Sequence, residues 1–317
     1  MANPDVDASS DASSPSSEAP AAKPPMSLAM GLLRTARPVQ WSKNVLVFAA
    51  PGAAGVLDNG EALGDALVAF VAFCFAASGT YFLNDARDRD ADRQHPKKCR
   101  RPIAAGVVPL GLGYVMGFGL IIAGVAVGFI PHWQLAVTVL AYVILTTSYS
   151  FWLKHVPVVD LVAIAAGFVL RAIGGATATG VPISNWFFIV ASFGSLFIVA
   201  GKRGGEAGEL ADDAAAIRST LGVYSTSYFA YLRSVSSGVV LVAYCLWSFE
   251  KAELAGASGF PWYQLSIVPF AVAVLRYAML LDLGQGSTPE EIALHVRPFQ
   301  ITIACWLVIF GCGIYLL

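Results

Sequence analysis

Charge is scarce in this chain. Only 13% of its 317 residues are charged, while 56% are hydrophobic; a soluble globular domain carries about a quarter charged residues. With a mean hydropathy of +0.65 and several nearly charge-free windows long enough to cross ~30 Å of hydrocarbon, the composition excludes a soluble enzyme. It specifies an all-α polytopic membrane protein. Histidine and cysteine are equally sparse. His95, His132, His155 and His295 are dispersed, and Cys74, Cys99, Cys245, Cys305 and Cys312 form no CxxC pair. This excludes a disulfide framework and a His/Cys metal cluster. No fixed-period repeat is visible. The net charge of −1 says nothing about partners, because distribution outweighs the sum.

Residues 1–27 are rich in Ser, Ala, Pro and Asp and lack the charged and apolar regions of a signal peptide. Their low hydrophobicity and five prolines predict a disordered tail, leaving 28–317 as the membrane domain. Apolar segments fall near 39–57, 64–84, 104–130, 133–152, 157–176, 184–201, 226–249, 264–282 and 298–317. They predict nine transmembrane helices, since backbone amides in lipid must find partners within their own segment. Pro51 is expected to break or kink the first. Sixteen Lys and Arg residues, from Lys23 to Arg297, then share the side of the N-terminus, against Lys251 alone opposite. The positive-inside rule places the N-terminus in the cytoplasm and, with nine crossings, the C-terminus outside a plasma membrane.

The stretch NDARDRDAD, residues 84–92, closes the second apolar run. On a continuous helix Asn84, Asp85, Asp88 and Asp92 share one face, with Asp90 elsewhere. Three carboxylates on one stripe repel each other unless a cation sits among them. Such oxygen donors suit Mg²⁺, which takes one or two carboxylates and shares its shell with water and substrate phosphates. The bland alternative is a solvated helix end paired with Arg87, Arg89 and Arg93. Arginines tying up these acids, with no room left for an ion, would sink the metal reading. The following KKCRR, residues 97–101, serves equally as a lipid-headgroup anchor or as a phosphate grip. Arg101, just before Pro102, is the best-placed substrate ligand.

A second constellation is GKRGGEAGELADD, residues 201–213, where Lys202, Glu206, Glu209 and Asp213 form one helical stripe with Arg203 at its edge. Between the two lies YSFWLKH, with Tyr149 and Lys154 at the end of the fourth span. Asp160 and Arg171 sit on one face of the fifth span, either as a site or as a paired strut. GQGSTPEE, residues 284–291, reads as a capped short helix.

NDARDRDAD fits the NDxxDxxxD signature of the membrane-embedded prenyltransferases related to 4-hydroxybenzoate polyprenyltransferase, and the chain resembles that family over roughly residues 34–317. The resemblance implies a ring of nine helices around a central cavity, with Mg²⁺-diphosphate at the cytoplasmic mouth. Asp85, Asp88 and Asp92 would be its metal-binding and catalytic residues, and Asn84 part of the same motif. Most members carry a second DxxxD motif after the sixth span, where this chain has GKRGGE. That departure, with RPVQWSKN (37–44) and RPIAAGVV (101–108), is similar to one branch of the family. Its members use phosphoribosyl diphosphate as donor and a polyprenyl (decaprenyl) phosphate as acceptor, for cell-wall arabinan. The resemblance then makes Lys43, Asn84, Arg101, Tyr149, Lys154, Lys202, Arg203 and Glu206 candidate substrate ligands. Partners are the two substrates and membrane lipids, with no nucleic acid; a homo-oligomer is compatible with the pattern. The rival readings are an aromatic prenyltransferase using a prenyl diphosphate and, outside enzymes, a transporter, against which the helix-end acids and lack of inverted repeats argue.

Overall fold

The computed structural model describes residues 26–209, 222–256, 260–284, 292 and 295–316. The expected tail up to residue 25, Asp213 and most of the 284–291 segment lie outside them. All described regular structure is helical: α1 (Leu28–Ala36), α2 (Ala49–Ala54), α3 (Gly60–Arg87), α4 (Arg89–Gln94), α5 (Leu110–Gly128), α6 (Trp133–Phe151), α7 (Val159–Thr179), α8 (Asn185–Glu209), α9 (Thr226–Ala255), α10 (Trp262–Asp282) and α11 (Arg297–Tyr315). Eight of these are long and apolar enough to cross a membrane.

The first expected span takes another form. Pro38–Phe48 is a 3₁₀ helix of 11 residues that runs into the 6-residue α2. With rises of about 2.0 Å and 1.5 Å per residue, the two pieces extend about 31 Å, enough for the hydrocarbon core. Laid end to end, they would match the first of the nine expected crossings, which is not among the eight long apolar helices, and Pro51 sits inside α2 rather than ending it. Tight packing holds this unusual form. A Cβ at Gly175 on α7 would overlap the Val47 carbonyl oxygen, so only glycine admits the 3₁₀ backbone so close. Likewise, a Cβ at Gly79 on α3 would stand 2.7 Å from the Gly117 carbonyl oxygen on α5. Small residues allow the same backbone approach between helices generally in lipid.

The core joins α3, α6 and α7 through Phe73, Leu135, Val139, Tyr142 and Ala178, with Val47 from the 3₁₀ segment. Arg171, whose role the sequence left open, is buried here as a strut. It donates to Asn44 Oδ1 at 2.7 Å, to the Gly167 carbonyl at 2.6 Å and to Tyr142 Oη at 2.9 Å. Asp160 accepts the Tyr224 hydroxyl at 2.5 Å, fixing the segment before α9 to the start of α7.

Successive spans alternate in direction, and one end of the bundle collects the polar connections. Arg37 meets Asp85 there, Arg87 reaches the Ser150 carbonyl, Arg203 reaches Tyr149, and Arg233 faces Asp282 at 3.7 Å.

Candidate active site

The acidic motif is bent. Helix α3 stops at Arg87, Asp88 takes φ −85° and ψ 7°, and α4 resumes at Arg89. The backbone bonds from Asp88 N to Asn84 O (2.9 Å) and from Asp92 N to Asp88 O (2.8 Å) carry the chain through the break. The consequence is a redistribution of the three carboxylates. Asp85 and Asp92 are buried and meet at one guanidinium, since Arg101 Nη1 donates to Asp85 Oδ1 at 3.1 Å and to Asp92 Oδ2 at 2.8 Å. Asp88 is half-exposed and accepts from Arg87 Nε at 2.9 Å. The three acids therefore do not share one centre, as a straight helix would have them do. Asn84, half-buried, lies at the same bend.

Arg37, like Arg34, is not among the candidate site residues read from the sequence. Its Nη2 donates to Asp85 Oδ1 at 2.7 Å, and its guanidinium lies 4.5 Å from the centre of the Tyr81 ring. It occupies the left-handed region at φ 53° between α1 and the 3₁₀ segment, a conformation sustained by surrounding contacts. Arg34, Arg37, Asp85, Lys97, Arg100, Arg101 and Pro102 line a cavity of about 330 Å³. Five cations surround one carboxylate. Such a lining suits an anion with several oxygens, because guanidinium forks match phosphate geometry.

A second cluster sits on the same polar end. Arg203, only 6% exposed, donates to Glu206 Oε2 at 2.6 Å and to Tyr149 Oη at 3.2 Å. Arg87 ties this region to the first, stacking 4.4 Å from the centre of the Phe151 ring. Lys43 donates to Gln40 Oε1 at 2.6 Å. Lys43, Lys154 and Lys202 do not line the arginine-rich cavity.

The fit to a divalent ion is partial. Among the described residues no group of three His, Cys, Asp or Glu side chains is arranged to hold a metal ion. Asp85 and Asp92 do converge, and the atom between them is itself cationic. Two carboxylates completed by substrate phosphates suffice for Mg²⁺, so the pair fits an ion that takes the place of Arg101 Nη1. Arg37 and Arg101 engage these acids, and the cavity beside Asp85 is walled by cations and does not include Asp92, so an ion reaches the pair only where Arg101 gives way.

A helical membrane bundle whose polar end gathers carboxylates and a cationic cavity suits a membrane-embedded transferase acting on phosphorylated substrates. The chain belongs to the UbiA prenyltransferase family, whose model matches residues 45–307. It is 42% identical, over 93% of its length and 90% of the relative's, to the decaprenyl-phosphate phosphoribosyltransferase of Corynebacterium glutamicum. It is 41% identical to the protein of that name from Mycolicibacterium smegmatis, over 96% and 99% of the two chains. Among solved structures, a UbiA homolog from Archaeoglobus fulgidus bound to DMAPP and Mg²⁺ matches with a TM-score of 0.69 at 18% identity, covering 90% of this chain and all of that one.

Proposed function

We propose that this protein transfers a 5-phosphoribosyl group from phosphoribosyl diphosphate to a polyprenyl (decaprenyl) phosphate, releasing diphosphate, in the supply of cell-wall arabinan precursors. The observation that carries the reading is the near full-length identity of 40–42% to proteins named for this activity. The cationic cavity beside Asp85 supplies the chemistry such a donor needs.

Arg34, Arg37, Arg100, Arg101 and Lys97 bind the donor's phosphate oxygens. Asp85 and Asp92 would hold a Mg²⁺ ion, which would neutralise the charge that develops on the leaving diphosphate. Asp88 and Asn84 shape the rim of that pair. Breaking the C1–O bond gives the ribose oxocarbenium character, and the lipid phosphate attacks C1. A phosphate monoester with a second pKa near ~6 is already largely ionised at neutral pH, so no general base is required. Arg203, set by Glu206 and Tyr149, and Lys202, Lys154 and Lys43 bind phosphates of the two substrates. The polar end faces the cytoplasm with the N-terminus, and the C-terminus lies outside, as sixteen cations against one support.

The test is incubation of membranes containing the protein with labelled phosphoribosyl diphosphate and polyprenyl phosphate, with and without EDTA. Labelled lipid that disappears with EDTA is expected. Consumption of a prenyl diphosphate with no labelled lipid would replace this reading by aromatic prenyl transfer.

A further inference from the structure

One atom is asked to do two things at the polar end. Arg101 Nη1 bridges Asp85 and Asp92, at the spot where two converging carboxylates would hold a divalent ion. The same side chain lines the cationic cavity and is 31% exposed, against 3% and 5% for its two acidic partners. Among the described residues its Nε and Nη2 make no hydrogen bond. The guanidinium thus stands between an acidic pair and an anion cavity, attached to the first by a single nitrogen.

We propose that Arg101 is a displaceable counter-ion: it holds the cation position between Asp85 and Asp92 in the empty protein and turns to the donor's diphosphate when a divalent ion takes that position. This deepens the function proposed above and rests on it. The charge balance favours the exchange. Among the groups in direct contact, withdrawing Arg101 takes Asp85, Asp92 and Arg37 from neutral to −1, while Arg34, Lys97 and Arg100 on the cavity wall oppose a dication until a diphosphate neutralises them. Arg37 stays on Asp85 and keeps it oriented. Arg101, once turned, adds a cation to the side that receives the diphosphate. Metal and diphosphate therefore bind cooperatively, and the coupling is reciprocal. In their absence the arginine keeps two buried carboxylates from facing each other unpaired, which is otherwise costly.

The exchange predicts opposite signs for two affinities. The full-length protein in detergent is titrated with Mn²⁺, followed by the electron paramagnetic resonance of the free ion, with and without inorganic diphosphate. In the wild type Mn²⁺ alone binds weakly, and diphosphate tightens it by about tenfold or more, within the usual range of coupling between sites. In Arg101→Gln, Mn²⁺ alone binds several-fold tighter than in the wild type, while diphosphate binds more weakly and most of the enhancement is lost. Arg101→Lys, shorter and without the fork, shifts both affinities in the same directions by smaller factors. In whichever variant folds, a Mn²⁺ affinity no higher than the wild type's overturns the proposal, because a merely structural arginine would not compete with the metal. The transfer assay on the wild type is read separately. Absence of phosphoribosyl transfer with this metal pattern intact removes the assigned donor and leaves the exchange standing. Transfer without the metal pattern does the reverse.

Discussion

Arg171 on α7 donates from Nε to Asn44 Oδ1 at 2.7 Å, and Asn44 is completely buried in the 3₁₀ segment. The asparagine in turn donates to Cys74 Sγ at 3.2 Å, so one guanidinium fastens the 3₁₀ segment to two regular helices. Ionisable groups at this depth are expensive and persist when paired. The two ends of the bond should differ when removed. Asn44→Leu leaves Nε of a buried cation without its acceptor while Gly167 and Tyr142 still hold the guanidinium, and is expected to cost about 3 kcal/mol or more, since an unmet charged donor costs more than a neutral one. Arg171→Met removes the charge with its bonds and leaves a neutral amide short of a partner, at about 1–3 kcal/mol. Thermal unfolding in detergent should rank Asn44→Leu as the less stable, with transfer per folded molecule preserved in Arg171→Met.

The bend at Asp88 makes a separate prediction about the acidic motif. Asp85→Asn and Asp92→Asn each remove half of the converging pair and are expected to reduce transfer by at least about a hundredfold. Asp88, paired with Arg87 at the rim, acts on the pair from outside, and such supporting groups are worth about 10–100-fold. Asp88→Asn should therefore lose no more than about a hundredfold and retain more activity than Asp85→Asn. Equal losses in all three, at equal folded yield, would restore a three-carboxylate cage and show that the bend straightens when the donor binds.

How far the sequence foretold this site depends on the reach of each signal. Asp85, Asp92 and Arg101 were legible because they lie within seventeen residues of one another and carry a local spacing. The departure of Asp88 was not, since a helix break that keeps the i→i−4 bonds leaves no mark in the pattern. Arg34 counted only toward a positive-inside total, which treats every cation alike, and Arg37 beyond that only as the first residue of RPVQWSKN, with no role of its own. A usable signal existed: Arg37–Pro38 and Arg101–Pro102 repeat one arrangement, an arginine just ahead of a proline where a new segment begins. The role of Arg171 was hidden because Asn44 lies 127 residues away. The 3₁₀ segment was hidden because its cause, the glycine at 175, is a tertiary contact.

Arg34 and Arg100 offer the cleanest test of the cavity, because both are exposed and both line it. Glutamine at either position should change stability by no more than about 0.5 kcal/mol, as for most surface substitutions. Losing one charged hydrogen bond to phosphate, at about 1.5–3 kcal/mol, should raise the KM for phosphoribosyl diphosphate by about tenfold or more. The KM for the lipid phosphate should move far less. A matching rise in both constants, measured in the same detergent, would mean that the two substrates share this lining.

The Tyr224–Asp160 contact gives a pH signature. The phenol donates to Asp160 and accepts the Val158 N–H, both at 2.5 Å. Burial first, and then the bond to Asp160, push the Tyr224 pKa well above the usual tyrosine range. A group whose folded-state pKa is raised contributes stability that is complete below its unfolded value, near about 10, and is lost as pH climbs from there toward the folded one. Neutral pH should therefore leave the wild type flat, and its melting temperature should fall once pH passes about 10. Tyr224→Phe should lose about 1–2 kcal/mol at pH 7 and show a shallower alkaline decline, because the group responsible is gone. An alkaline limb of unchanged steepness in that variant would assign the transition to other groups and leave Tyr224 only the task of tying the start of α9 to α7.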